Sequence, residues 1–254
     1  MKFTKFAIIA AIVVAIGGVA FSLIQKAGAF DASNMSFIGA ISGNGEITNQ
    51  ARELAAFSRI DVSCAGKVTV KKGDAYRVDL TIDSNLLDTF VSKVTDSTLA
   101  LGFAPGAFVM NMRSLEIVVT TPTLTGFKMS GAAEVVAEGF EAKDFTLELS
   151  GAGSFKGELS VETLAIHSSG AASIELSGRA NSVSIDSSGA SDIDMDSFTT
   201  KSCDIQSSGA GHVAIDAVET LDVKLSGIGS VEYLGSPEVT KEISGLGSVE
   251  RIGD

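Results

Sequence analysis

The chain has 254 residues, 45% hydrophobic and 20% charged, enough for a substantial core, which excludes disorder along most of its length. Lysine plus arginine number 19 against 31 aspartate plus glutamate, a formal charge of −12; removing the three lysines of the acid-free first 29 residues leaves about −15 on the remainder, and a nucleic-acid groove is excluded. Glycine is abundant at 27, proline is only 3 and tryptophan is absent, a composition of short glycine-punctuated strands rather than of helices.

Met1-Lys-Phe-Thr-Lys5 is basic, and residues 6–24 form an uncharged, largely apolar run broken only by Gly17-Gly18 and Ser22. This pattern predicts an N-terminal hydrophobic helix within residues 1–29, serving as a signal peptide or a membrane anchor. The run exceeds the ~7–15 apolar residues of a signal-peptide core and approaches the ~20 that span a bilayer. Ala27-Gly28-Ala29 fits a small-x-small cleavage site that leaves Phe30 first; uncleaved, residues 6–24 hold the chain in the membrane. Either fate delivers the rest to the cell envelope, in the periplasm or at the cell surface. No cysteine follows the run closely, so a lipid-modified anchor is not expected.

Residues 30–56 are polar and glycine-rich and read as a linker or a leading strand; the folded domain is expected over 57–254. Ile60, Val62 and Cys64, then Val68 and Val70, alternate with polar neighbours. After the Lys72-Gly73-Asp74 turn, Tyr76, Val78, Leu80 and Ile82 alternate again, so these are strands. Asn85–Phe90 reads as a short helical turn, followed by strands at 91–94, 99–103 and 115–119 with a loop through Pro105-Gly106.

From residue 120 onward the sequence repeats. Ser-Gly phrases centred on Gly131, Gly151, Gly170, Gly189, Gly209, Gly227 and Gly245, followed by Ala in the first five and by Ile228 and Leu246 in the last two, recur at intervals of 20, 19, 19, 20, 18 and 18 residues. Such a period is too short for a helix pair and fits one circuit of a solenoid. Aligned on these glycines, the sequence shows three apolar columns: six before (Phe145, Leu164, Val183, Cys203, Leu221, Val239), four before (Phe127, Leu147, Ile166, Ile185, Ile205, Val223) and four after (Val135, Phe155, Ile174, Ile193, Val213, Val231, Val249). The column three before reads Lys128, Glu148, His167, Asp186, Gln206, Lys224, Glu242 and faces solvent. Like residues therefore stack about 4.8 Å apart in a parallel β-helix whose seven rungs would rise roughly 30 Å. Each glycine is expected either to take a positive φ or to let the backbone pass close to its neighbour. The serines before the glycines form a ladder, with Ser168, Ser187 and Ser207 a second one inside the wall, and both are expected to bond rung to rung.

On these residues, together with Gly43-Asn-Gly45 leading to Arg52-Glu-Leu-Ala-Ala-Phe-Ser-Arg-Ile-Asp-Val62 and the Val68-Thr-Val70-Lys-Lys-Gly73 hairpin, the chain resembles the bacterial family of autotransporter adhesin head domains, the head GIN domain, over about residues 45–254. The resemblance implies an exported, all-β, right-handed single-stranded β-helix, with adhesion as its presumed role. An autotransporter passenger precedes a membrane barrel; this chain ends at Asp254, so self-export by that route is not expected.

Candidate chemistry is sparse. Asp192, Asp194 and Asp196 alternate along one strand and so share a side of the sheet, with Asp186, Glu175, Asp204 and Asp216 as candidate neighbours. They read first as a solvated acidic face, and second as Ca²⁺ ligands or the acid and base groups of a polysaccharide-active enzyme. His167 and His212 fall on different parts of the rung, and no Gly-x-Ser-x-Gly, Walker loop or dinucleotide fingerprint occurs; Gly151-Ala-Gly153-Ser-Phe-Lys-Gly157 has the wrong spacing. Without tryptophan and with only Tyr76 and Tyr233, aromatic platforms for sugars are not expected. Cys64 and Cys203 read as two buried free thiols rather than a bridge or a metal site.

The sequence thus predicts a non-enzymatic scaffold or adhesin-like module without a cofactor, acting on an unknown protein or surface polymer. A polysaccharide-active enzyme and a self-assembling filament are the alternatives. The filament reading rests on the C-terminal rung, an open strand edge fit for end-to-end self-association, with Glu250, Arg251 and Asp254 as charges that discourage it.

Overall fold

The computed structural model describes residues 40–253. The hydrophobic helix expected within residues 1–29 lies outside them; among the described residues no helix is long and apolar enough to cross a membrane. From Ile41 on, the described residues form one compact unit, an all-β solenoid of about seven turns.

The first strands are β1 (Ala40–Ser42), β2 (Ile47–Glu53), β3 (Arg59–Val62), β4 (Gly66–Lys72) and β5 (Arg77–Asp83). A 3-10 turn at Ser84–Thr89 leads to β6 (Phe90–Thr95), β7 (Thr98–Phe103), β8 (Phe108–Met110) and β9 (Leu115–Thr121). The repeats supply β10 (Gly126–Met129), β11 (Ala133–Leu149), β12 (Ala152–Ser168), β13 (Ala171–Ser187), β14 (Ala190–Ser207), β15 (Ala210–Leu225), β16 (Ile228–Leu234), β17 (Glu238–Ile243) and β18 (Ser248–Arg251).

From β10 onward each strand pairs in parallel with the strand one repeat later, and the register superimposes the columns read from the sequence. Phe145 lies beside Leu164, then Val183, Cys203, Leu221 and Val239. Every residue of the column four before the glycine from Phe127 to Val223 is buried, as is every residue of the column four after it. The physical reason is period two: a strand buries alternate side chains, and a repeat that keeps its parity stacks those side chains over one another. Phe127 and Phe155 meet in this core with ring centroids 5.3 Å apart.

The N-terminal end departs from sequential winding. β4 lies between β11 and β9, and β3 between β10 and β7, all parallel, so residues 98–121 form a level beneath residues 59–72 although they follow them in the chain. Antiparallel strands then close this end, β5 against β9, β2 against β5 and β6 against β7. Within the leading segment, β2 is thus a strand of the main sheet, and the compact unit begins ahead of Phe57. Arg52 holds it there, its guanidinium donating to the carbonyls of Phe90 (2.8 Å) and Leu87 (3.1 Å).

Asp83 secures the same end. Its carboxylate is fully buried and accepts from the backbone N–H groups of Gly45 at 2.7 Å, Arg113 at 2.8 Å and Ser114 at 3.5 Å. Burial alone would push this carboxyl up; the backbone donors outweigh it and hold its pKa below the usual carboxylate range.

Candidate functional site

The Ser-Gly corner sets the geometry of the site. At each level the serine N–H donates to the carbonyl of the residue just before the corner serine of the level below, and the residue after the glycine donates to the glycine carbonyl below, as in Ser188 to Ser168 at 2.9 Å and Ala190 to Gly170 at 3.0 Å. The backbones approach so closely that a Cβ on Gly151, Gly170, Gly189, Gly209, Gly227 or Gly245 would overlap the carbonyl oxygen of the glycine beneath, and one on Gly131 would overlap that of Cys64. Of the two roles expected for these glycines, close approach is the one found, since none has a positive φ. Cys64 fills the glycine position of the level below Gly131.

The second corner, eight residues after each of these glycines, is turned differently. Gly178 (φ 121°) and Gly235 (φ 85°) stand there in conformations that L side chains rarely adopt.

Beside the Ser-Gly corner runs a groove of about 950 Å³ lined on one side by the column Lys128, Glu148, His167, Asp186, Gln206, Lys224, Glu242 and on the other by the corner serines from Ser150 to Ser244. The intervening column, including Leu149, Ser168, Ser187 and Ser207, completes its lining. Seven levels at about 4.8 Å make it roughly 30 Å long. Neighbouring levels interact along its wall: Lys128 Nζ pairs with Glu148 Oε2 at 3.6 Å, and His167 Nδ1 lies 3.2 Å from Asp186 Oδ2.

The serine ladders differ from expectation. Ser150 and Ser244 donate to the carbonyls of Met129 (3.4 Å) and Leu225 (3.5 Å). Among the described residues the one serine pair is Ser168 with Ser191, joined at 2.7 Å across the corner. In both cases the hydroxyl shares the carbonyl that already accepts the N–H of the same serine. The outer serines remain exposed along the groove.

The predicted acidic cluster divides at the corner. Asp186 lines the groove before it, whereas Asp192, Asp194 and Asp196 lie after it. Asp192 is flanked by Ser173 and His212, and Asp194 by Glu175 and Ala214. Asp196 accepts from Ser197 Oγ at 2.9 Å, Glu175 pairs with Lys156 at 2.6 Å, and Asp216 accepts from Thr199 Oγ1 at 2.8 Å. Asp204 is back on the groove side of its rung, accepting from Gln206 Nε2 at 3.2 Å. His212 contacts Ser230 Oγ at 3.0 Å and stands 3.9 Å from Glu232. Among the described residues no three His, Cys, Asp or Glu side chains gather closely enough to hold a metal ion. Cys64 and Cys203 are buried and unbridged; burial pushes their thiols up to about 11 and about 12.

Sequence reading identified both walls of the groove as separate columns but not the concavity between them. Its signal was the pairing of a polar column three before the glycine with a serine directly before it.

A parallel β-solenoid with a polar groove along its corner defines the class. The chain belongs to the family described as "Putative auto-transporter adhesin, head GIN domain", which matches residues 56–237. Family membership points to an exported or surface-associated protein of adhesin type. Solved structures share the fold. A putative adhesin of Bacteroides fragilis is 24% identical with a TM-score of 0.79, covering 84% of this chain and 100% of its own. A putative lipid binding protein of Parabacteroides distasonis is 20% identical with a TM-score of 0.69 over the same shares. A putative adhesin of Parabacteroides merdae is 20% identical with a TM-score of 0.65, covering 85% of this chain and 100% of its own. No curated protein matches the chain.

Proposed function

We propose that the chain is a non-enzymatic, exported adhesin-like module whose corner groove receives an elongated polar polymer, a surface polysaccharide or an extended protein segment. The observation that carries this reading is the groove itself: it is open and extends over seven levels. Hydroxyls stand at each level from Ser150 to Ser244, and charges of both signs line the facing wall. A binding surface that repeats every 4.8 Å suits a ligand that also repeats, because each added unit finds the same donors and acceptors. Recognition there is by hydrogen bonds and charge. Tyr76 packs on Phe57, and among the described residues most phenylalanines are core residues, including Phe127, Phe140, Phe145, Phe155 and Phe198. We take the coil as right-handed, as parallel crossovers are, and residues 6–24 as the export signal or anchor that brings it to the envelope.

The test is binding of the full chain to purified cell-surface polysaccharides and to immobilised extracellular proteins, comparing wild type with Ser188→Arg/Ser208→Arg, which fills the middle of the groove. Loss of binding in that variant is expected. The enzyme alternative requires turnover on anionic or neutral glycans that disappears in Asp192→Asn/Asp194→Asn/Asp196→Asn; such turnover, or binding untouched by the arginines, would overturn the proposal.

A further inference from the structure

Strand β2 is paired along all seven of its residues with β5 and has no strand on its other side among the described residues. The bonds that flank this pairing fix the direction of every backbone group in it. Ser84 N–H donates to the carbonyl of Glu46 at 2.7 Å, and Leu54 N–H to that of Tyr76 at 2.9 Å. Antiparallel bonding alternates along a strand, so Thr48, Gln50 and Arg52 turn their N–H and C=O groups toward β5, whereas Ile47, Asn49, Ala51 and Glu53 turn theirs away from the sheet. Those four residues are all exposed.

Native proteins protect such an edge with lysine, proline or a bulge. β2 has none of them: Ile-Thr-Asn-Gln-Ala-Arg-Glu follows β5 without a shift of register. Its two charges stand together at one end, where Arg52 donates to the carbonyls of Phe90 and Leu87 and Glu53 lies 3.6 Å from Arg77. The other antiparallel edge at this end is guarded. β6 carries the exposed Lys93, and Arg52 occupies the carbonyl of Phe90 and the hydroxyl of Ser92.

The unprotected edge is complementary to itself. Turned about a two-fold axis at Gln50, a second β2 sets Asn49 opposite Ala51 and Ile47 opposite Glu53, pairs in which both residues offer outward backbone groups to each other. Thr48 then faces Arg52, and Gln50 faces Gln50, so no two like charges are opposed. The Gln50 amide accepts from Arg52 Nε through its oxygen at 2.7 Å and keeps its own N–H groups for its counterpart.

We propose that β2 is the interface of a two-fold dimer, in which two copies of the chain join their sheets edge to edge through Ile47–Glu53. The dimer carries two grooves, so a repeating ligand long enough to reach both is held by avidity; that consequence rests on the groove reading, whereas the pairing does not.

The test is sedimentation velocity of the full chain in mild detergent over a concentration series. Wild type is expected to run at twice the protein mass. Ala51→Pro removes an N–H that β5 does not use, and Ala51→Lys places a charge on the edge; both are expected to run as monomers with the wild-type circular dichroism spectrum. Should the proline change that spectrum, the lysine variant decides. The register is checked by mild oxidation. Gln50→Cys meets its counterpart across the axis and is expected to form a disulfide-linked dimer, whereas Glu53→Cys stands about 20 Å from its own and is expected to form none. A monomeric wild type, a dimer untouched by lysine at position 51, or cross-linking at position 53 as complete as at position 50 overturns the proposal.

Discussion

Replacing Gly170 by alanine isolates the contact on which the coil depends. The new methyl group would overlap the carbonyl oxygen of Gly151, a backbone atom that cannot rotate away, so the two levels must separate at the corner. Two hydrogen bonds are then at risk, Ala171 N–H to Gly151 at 3.1 Å and Ala190 N–H to Gly170 at 3.0 Å. A buried backbone group left unsatisfied costs about 1–3 kcal/mol, so the pair predicts a loss of about 2–6 kcal/mol. Gly106→Ala is the control. Gly106 has a positive φ of 83° but no atom within 4 Å of the added methyl, so its loss is conformational only, about 1 kcal/mol. Urea unfolding followed by circular dichroism measures both. If Gly170→Ala costs no more than Gly106→Ala, close stacking at the corner is not what the glycines provide.

Asp83→Asn is expected to lower the urea midpoint at neutral pH, because the buried carboxylate serves three backbone donors. The folded pKa is depressed, so the stability it contributes is present above the unfolded value of about 3.9 and is lost as pH falls through the folded one; the gap between wild type and Asp83→Asn should therefore close below about pH 4. A thiol reagent at pH 8 should leave Cys64 and Cys203 unmodified in the folded protein and label both in urea, since burial raises both pKa values well above that pH; rapid labelling of the native chain would contradict their placement. Phe155→Ala should destabilise by about 3–5 kcal/mol, because Phe155 is fully buried against Phe127 and the cavity lies between rungs that cannot collapse independently; calorimetry of the variant checks this.

The repeating half of the fold was legible because each repeat keeps the parity of its strands. Ile166 and Ile185 are buried for the same reason, and the sequence writes that reason once per rung. The N-terminal end lacks such a signal. That β9 lies beside β4, and β7 beside β3, is a matter of which chain segment returns to which edge, and no local period records it. The buried Asp83 was equally silent, since a carboxylate at the end of an alternating strand looks like any surface acid until Gly45 and Arg113 are brought to it. The second corner was half legible: Gly139, Gly178, Gly235 and Gly253 share one offset, but Leu159, Ser197 and Ala217 interrupt the column. Asp192, Asp194 and Asp196 occupy alternate positions of β14, while Asp186 stands before the corner that divides the two faces, and nothing in the spacing of these acids marks that corner as a divide.

The most direct test of the stacked corner is a distance series between nitroxide labels on cysteines replacing Ser226 and Ser244, then Ser188 and Ser244, then Ser150 and Ser244, read by electron paramagnetic resonance. One, three and five level spacings predict separations that grow linearly, about 5, 14 and 24 Å before allowance for the label arms. A series that fails to increase in this order would show that these serines do not lie on one line, and the groove built from them would not exist.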